Sequence, residues 1–391
     1  MALSGQQAAI AGIGETEYRR WGGFTDQSEL KLACVAIKRA CDDAGLNVDD
    51  VDGICSYGGD RNEPGIVQEA LGLPSLRFAT MAWGGGGAGS CGSIFHAATA
   101  VESGAAKHVI VLRALCQGQG RRYGKFNPAR PGNNFLAPFG MFAPPIMLAA
   151  LVQRYMHEFG IHQEHLGEVV LTCRDNASRN PRAVMGAHPL SMQQYLASRL
   201  IAHPLRLYDC CQENDGACAL LVTTTERARD LRHKPVRILA SAQVNNPGWG
   251  TGALASHNMP VSSYGHGNSN AVAAEVYGKS GLKPSDIDTA QIYDHFSGMV
   301  LMSLENYGFC DVGEAGEFVG AGQIRWPNGN LPINTSGGHL SEAYIHGLNL
   351  AIEGVRQIRG TSTSQVAAAN TCLVTGGSGV AIPSAVILGR D

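Results

Sequence analysis

With 391 residues, 44% of them hydrophobic, the chain can bury a large core, expected as two closely packed halves. Only 16% of residues are charged and the net charge is −3, which leaves no electrostatic footprint for nucleic acid or for an anionic membrane surface. The start, Met1-Ala2-Leu3-Ser4-Gly5, carries no basic segment followed by a long apolar stretch, so secretion is not expected. Apolar runs such as Ile146–Val152 are too short to span a bilayer. The eleven cysteines match no zinc spacing, the Cys210-Cys211 pair included, and reduced, mostly buried thiols in a cytoplasmic protein are the expectation.

Along the chain, Asp26-Gln27-Ser28-Glu29 resembles a capping box, followed by Leu30, Cys34, Ile37, Cys41 and Ala44 at helical spacing. This helix is expected to end at Gly45, and a strand to follow at Gly53-Ile54-Cys55. Gly84–Gly87 opens a second helix, running through Phe95–Ala98 to Gly104, before the buried strand Val109–Leu112. Gln117–Gly132, rich in Gly, Arg and Pro, then leads into helical stretches near Leu148–Phe159 and Gln193–Leu200. This segment, about residues 115–205, reads as an insertion over the first half, either a lid or a structural and dimer-contact element.

The second half echoes the first. A helix around Val272–Tyr277 ends at Gly281, and a strand follows at Ala290-Gln291-Ile292. Gly337-Gly338 opens a helix through Leu348 and Ile352 to Gly354, and a strand at Cys372-Leu373-Val374 comes after it. Strand, glycine turn, helix and apolar strand is the logic of a mostly parallel sheet covered by helices. Its repetition predicts two similar halves, residues 1–235 and 236–391, with a site where helix N-termini and loops from both converge.

The order and spacing of several segments resemble the thiolases, and within them the sterol-carrier or lipid-transfer-protein-like branch. The segments are Ala9–Gly14, the glycine turn and helix at 84–104, Asp215–Ala219, Tyr293–Ser297, Asn334–Gly338 and Gly376–Gly379. The resemblance covers nearly the whole chain and implies an α/β fold, the thiolase-like duplicated αβαβα five-layer sandwich. It also implies an acyl-coenzyme A thioester as ligand and a homodimer.

Thiolase chemistry uses a cysteine at the N-terminus of the first-half helix, where the helix lowers the thiol pKa. Family spacing puts Gly87 at that position, and Cys91 one helical turn further on reads as a small core residue. The family's Gly-His-Pro matches Ala343-Tyr344-Ile345, so Tyr344 replaces a histidine. Leu373 stands where the late acid/base cysteine belongs, with Cys372 one residue off. The lipid-transfer His-Asp-Cys-Phe reads Tyr293-Asp294-His295-Phe296.

The Tyr293 and Tyr344 pattern resembles that of bacterial steroid side-chain-cleaving aldolases. That resemblance implies retro-aldol cleavage of a β-hydroxyacyl-coenzyme A, a 17-hydroxy steroid or related side-chain thioester, to a ketosteroid and a short acyl-coenzyme A such as propionyl-coenzyme A. Tyr293 and Tyr344 are then the catalytic base and acid, in an order the sequence leaves open. Gly87, Asp294, Gly337, Gly338 and His339 are assigned to substrate binding, although His339 and His295 also fit a packing role. Arg121, Arg122 and Lys125 either meet the coenzyme A phosphates or belong to a solvated loop. No metal and no bound cofactor are implied, since coenzyme A arrives as part of the substrate. A small partner subunit with an OB-fold and zinc-ribbon-like segment is implied, giving a heterotetramer. Two other readings stay open: an acyltransferase or thiolase using Cys91 with His339 or His346, and a non-catalytic lipid-binding protein.

Overall fold

The computed structural model describes residues 7–84, 86–120, 136–249 and 265–391. Among the described residues, the main sheet runs through nine strands, β1 (Ala8–Glu15), β2 (Gly53–Tyr57), β3 (Phe78–Ala82), β4 (Val109–Leu115), β5 (Asn214–Thr224), β6 (Val236–Gln243), β7 (Thr289–Gln291), β8 (Thr371–Gly376) and β9 (Ser384–Arg390), with the short strand Arg19–Arg20 paired to β5. They lie in one mixed sheet in the order β7-β8-β9-β6-β1-β5-β4-β2-β3. Read outward from the centre, β1-β5-β4-β2 and β6-β9-β8-β7 follow the same plan, antiparallel twice and then parallel. The two runs are joined through the antiparallel pairs Ala9↔Arg237 and Ile10↔Val236.

The main helices are α1 (Glu29–Ala44), α2 (Ser90–Glu102), α3 (Pro144–Phe159), α4 (Gln163–Arg179), α5 (Asn270–Ser280), α6 (Ser297–Asn306) and α7 (Leu348–Arg359). Successive strand side chains point to opposite faces, and this alternation makes the layers. On β5, Leu221 packs outward with Ile37 and Ala40 of α1, while Leu220 packs inward with Ile94 and Val101 of α2 and Ile352 and Val355 of α7. On β8, Cys372 joins that same inner core, and Leu373 packs outward with Val276 of α5 and Leu301 of α6. Helices α2 and α7 therefore form a middle layer between the two runs of strands, with α1 outside one run and α5 and α6 outside the other.

The sequence placed most elements closely. Helix α1 starts at Ser28, whose side chain accepts from the Lys31 amide, and closes at Gly45 with φ 72°. The last long helix differs: a four-residue helix, Gly338–Ser341, comes first, and α7 begins only at Leu348. It then passes through Gly354 and ends at Gly360. Gly354 is a packing glycine, because a Cβ there would stand 2.9 Å from Val374.

Helix α4 went unread in the sequence, and it buttresses the site. Its Asn176 donates to the carbonyls of Ile333 and Asn334, and its Arg174 donates to Ser341. Among the described residues, no helix is long and apolar enough to cross a membrane.

Candidate active site

Two loops carry the tyrosines, and both are held by asparagine side chains. Where β7 ends, Ile292 donates to Asn334 Oδ1 at 2.7 Å, and Asn334 Nδ2 returns a bond to the Ile292 carbonyl. The next amide, of Tyr293, is taken by Thr375 at the end of β8. Tyr344 lies between the short helix and α7. Its amide donates to Asn214 Oδ1 at the start of β5, and Asn349 of α7 donates to the Ala343 carbonyl. Side chains from neighbouring elements thus satisfy the backbone on either side of both tyrosines.

The phenols meet directly, with Tyr293 Oη and Tyr344 Oη 2.7 Å apart. They meet over the turn that opens α2. A Cβ on Gly87 would lie 2.2 Å from Tyr293 Oη, and a Cβ on Gly86 3.8 Å from Tyr344 Oη. The space a side chain at residue 87 would need is therefore filled by a phenol, and only glycine fits beneath it.

Three imidazoles surround the pair. His339 packs at 4.6 Å from the Tyr293 ring and 4.9 Å from the Tyr344 ring, His295 at 5.1 Å from Tyr293, and His346 at 4.9 Å from Tyr344. Burial keeps all three neutral: it takes His295 down to about 4 and holds His339 and His346 well below the ordinary imidazole value. Among the described residues, the ring nitrogens of His295 make no well-aligned hydrogen bond, while Nδ1 of His339 faces Asp294 Oδ1 at 3.1 Å.

Burial also raises both phenols above their usual range. For Tyr293 the charge and hydrogen bond of Tyr344 add to the rise, and the Gly87 amide opposes it. For Tyr344 the Cys211 thiol adds to the rise, whereas the bond from Tyr293 and the charge of Arg113 oppose it. Both phenols stay raised, and at Tyr344 the Tyr293 hydrogen bond and the Arg113 charge offset part of the rise.

The other sequence-assigned residues fall into place around this pair. Asp294 lies beneath it, accepting from the His339 and Leu340 amides at 2.8 and 3.2 Å and from the Cys173 thiol. Burial raises its carboxyl to about 6. A Cβ on Gly338 would strike Asp294 Oδ2 at 2.2 Å, and one on Gly337 (φ 112°) would strike Ala177 of α4 at 2.7 Å. Both glycines are therefore demanded by close approach and turn geometry.

Cys91 lies inside the middle layer, with its thiol against the Val374 carbonyl at 3.5 Å. Burial pushes that thiol up to about 12, the reverse of what a nucleophile needs. Arg121, Arg122 and Lys125 lie outside the described residues. Among the described residues, no group of three or more His, Cys, Asp or Glu is placed to hold a metal ion.

Sequence reasoning missed Arg113, Asn214 and Cys211. Arg113 had a signal, since a charge in the middle of the apolar run Val109–Leu115 must find a buried partner. Cys211 and Asn214 had none, because only the folded chain brings their segment against His295 and Tyr344.

Residues 255–390 match the family model described as Thiolase C-terminal domain-like. The chain is 43% identical to 17-hydroxy-3-oxo-4-pregnene-20-carboxyl-CoA lyase of Mycobacterium tuberculosis, covering 99% of this chain and 100% of the relative. It is 42% identical to the steroid side-chain-cleaving aldolase of Thermomonospora curvata, over 98% of both chains. Among solved structures, the Ltp2-ChsH2(DUF35) aldolase superposes with a TM-score of 0.91 at 40% identity, covering 98% of each chain. Human mitochondrial 3-ketoacyl-CoA thiolase shares the fold alone, with a TM-score of 0.67 at 12% identity over 99% of this chain and 98% of that one. This chain belongs to the thiolase-like family of steroid side-chain-cleaving aldolases.

Proposed function

We propose that this protein is a carbon–carbon lyase that cleaves a β-hydroxyacyl-coenzyme A by retro-aldol reaction. Its substrate is a 17-hydroxy steroid side-chain thioester, and its products are a ketosteroid and a short acyl-coenzyme A such as propionyl-coenzyme A. The observation that carries the reading is the 2.7 Å contact between two phenols directly over Gly87. A retro-aldol step needs one base, one acid and a held thioester oxygen, and no covalent intermediate.

The proton inventory closes on the two tyrosines. Tyr344, as phenolate, takes the proton of the β-hydroxyl. The Cα–Cβ bond breaks, its electron pair passes to Cα as the thioester enolate, and the former β-carbon becomes a ketone. Tyr293 then gives its proton to Cα. The phenol–phenol hydrogen bond carries the proton from Tyr344 to Tyr293 and restores the starting state. Tyr344 is assigned as base because the Tyr293 bond and Arg113 both favour its ionised form. His295 and His339, each with one N–H as a neutral ring, supply donors for the thioester and hydroxyl oxygens, the Nδ1 of His339 being turned to Asp294 at 3.1 Å.

Two halves, residues 1–235 and 236–391, accord with the repeated strand order. The proposed state is a cytoplasmic homodimer joined to a small OB-fold and zinc-ribbon-like subunit as a heterotetramer, and the likeness to the Ltp2-ChsH2(DUF35) aldolase supports the presence of a partner subunit.

The test is Tyr293→Phe and Tyr344→Phe, assayed on a steroid β-hydroxyacyl-coenzyme A with the partner subunit present. Each change should lower kcat by about 10²–10⁴-fold, the usual worth of a positioned acid or base. Undiminished turnover in both would refute the reading. The order of roles has its own readout, exchange of the α-proton of propionyl-coenzyme A with heavy water. Tyr344→Phe should keep that exchange, and Tyr293→Phe should lose it.

A further inference from the structure

A buried cation stands directly behind the phenol pair. Arg113, in the middle of β4, has no solvent exposure. Its Nε donates to His346 Nδ1 at 3.1 Å, and Nη2 turns to the same nitrogen. Nη1 donates to the Tyr57 carbonyl and faces Asp60 Oδ2 at 3.5 Å, while Nη2 also reaches the Gly58 carbonyl. The guanidinium lies 4.9 Å over the Tyr57 ring.

This geometry dictates the state of His346. A guanidinium only donates and does not give up its proton. The nitrogen it faces must therefore present a lone pair, and a neutral imidazole with Nδ1 bare carries its proton on Nε2. An imidazolium would set N–H against N–H. Nε2 is the nitrogen that Arg113 does not face, and the His346 and Tyr344 rings stand T-shaped with centroids 4.9 Å apart. The imidazole is held from its backbone as well. The Tyr57 hydroxyl donates to the His346 carbonyl at 2.9 Å, and His346 is kept at φ 48°, a left-handed conformation that persists only where surroundings enforce it.

We infer that Arg113 is a positioning residue for the lyase reaction: it fixes His346 as its Nε2–H tautomer at the flank of Tyr344, a permanent donor for the negative charge that develops there. The inference rests on the retro-aldol reading above. It addresses a difficulty in that reading, namely that burial disfavours the phenolate that must act as base. A donor locked in place before the proton moves costs no reorganisation when it does. The groups facing His346 are Arg113 from β4, Tyr57 from β2, Tyr344 from its own loop and His339 from the short helix, with Asp60 behind Arg113. Asp60 only partly offsets the cation, since its other oxygen is occupied by the Asn62 amide and side chain at 2.7 and 2.9 Å.

The experiment compares Arg113→Met, Arg113→Lys and Arg113→Met/His346→Gln in the intact complex. Arg113→Met should lower kcat by about 10–100-fold, the worth of a charge-assisted hydrogen bond, with KM changed less than about threefold. Its kcat should also gain an acid limb at higher pH than the wild type, as His346 stays buried but loses the opposing charge of Arg113. Arg113→Lys keeps the charge and should recover part of the loss. The double variant has a donor that does not titrate, so the acid limb should disappear. Nitrogen-labelled histidine NMR of the wild-type protein should show an unprotonated Nδ1 on His346. A wild-type kcat and pH profile in Arg113→Met would overturn the inference. So would a loss that tracks thermal midpoint alone and is not relieved by Arg113→Lys. Active tyrosine-to-phenylalanine variants would bring down the reaction itself, whereas inactive ones beside a normal Arg113→Met would bring down this inference alone.

Discussion

A methyl group at residue 87 would have to occupy space already filled by the Tyr293 phenol. Because that contact would be 2.2 Å, Gly87→Ala must push the ring aside. The expected result is a fall in kcat of about 10²-fold or more with the fold retained, since misplacing a reacting group by an ångström costs that much. Cys91→Ala makes the opposite case. It removes a buried thiol from the middle layer, so it should cost about 1 kcal/mol of stability, read from a urea midpoint, and leave turnover nearly unchanged. The two substitutions separate what the sequence could and could not tell. Gly87, Tyr293 and Tyr344 were legible because each stands in a motif position where the family carries something else. Arg113 was not, although its charge in an apolar strand was visible, because its partner His346 lies 233 residues away and no spacing rule connects them.

Elements were readable where local chemistry decides their ends. Ser28 and Gly45 mark α1, Gly281 ends α5, and each acts through its own backbone or side chain within a turn. The beginning of α7 was not readable, because Gly337 and Gly338 serve packing against Ala177 and Asp294, contacts made only after folding. Helix α4 was missed despite Leu166, Val169, Val170, Cys173 and Ala177 at helical spacing, since its N-cap is His162 and carries no familiar signal. Between elements the tightest fit among the described residues is β1 on α1, where a Cβ on Gly14 would stand 2.1 Å from the Ala36 carbonyl. Gly14→Ala should force strand and helix apart and destabilise the protein by about 3 kcal/mol, at the upper end for overpacking, measured by urea unfolding.

At the scale of the molecule, Glu342 ties three regions together two residues before Tyr344. It accepts from Asn180 beyond α4 at 2.9 Å, from Ser336 at 2.7 Å and from Asn349 of α7 at 3.2 Å. Burial, reinforced by the charges of Glu15 and Glu353, raises its carboxyl from 4.5 to about 7. The folded protein therefore holds this proton more tightly than the unfolded chain does. The associated stability is full below about pH 4.5 and is lost as pH rises through about 7. The loss is on the order of 3 kcal/mol. Urea midpoints taken at pH 5 and pH 8 should show this fall, and Glu342→Gln should flatten it even if that variant is less stable throughout.

Strand β1 is paired on one side by residues 218–224 of β5 and on the other by residues 236–237 of β6. During synthesis it therefore leaves the ribosome about two hundred residues before either neighbour exists. At roughly 5–20 residues per second, an apolar strand goes unpaired for on the order of 10–40 s. The second run of strands waits longer, since β9 sits between β8 and β6 and is made last of the nine. Until it arrives, α2 and α7 have an incomplete inner wall, and Gly87 and the two phenols have no common frame. Yield in cells should thus depend on what shields nascent chains, through a delay written into the order of the strands.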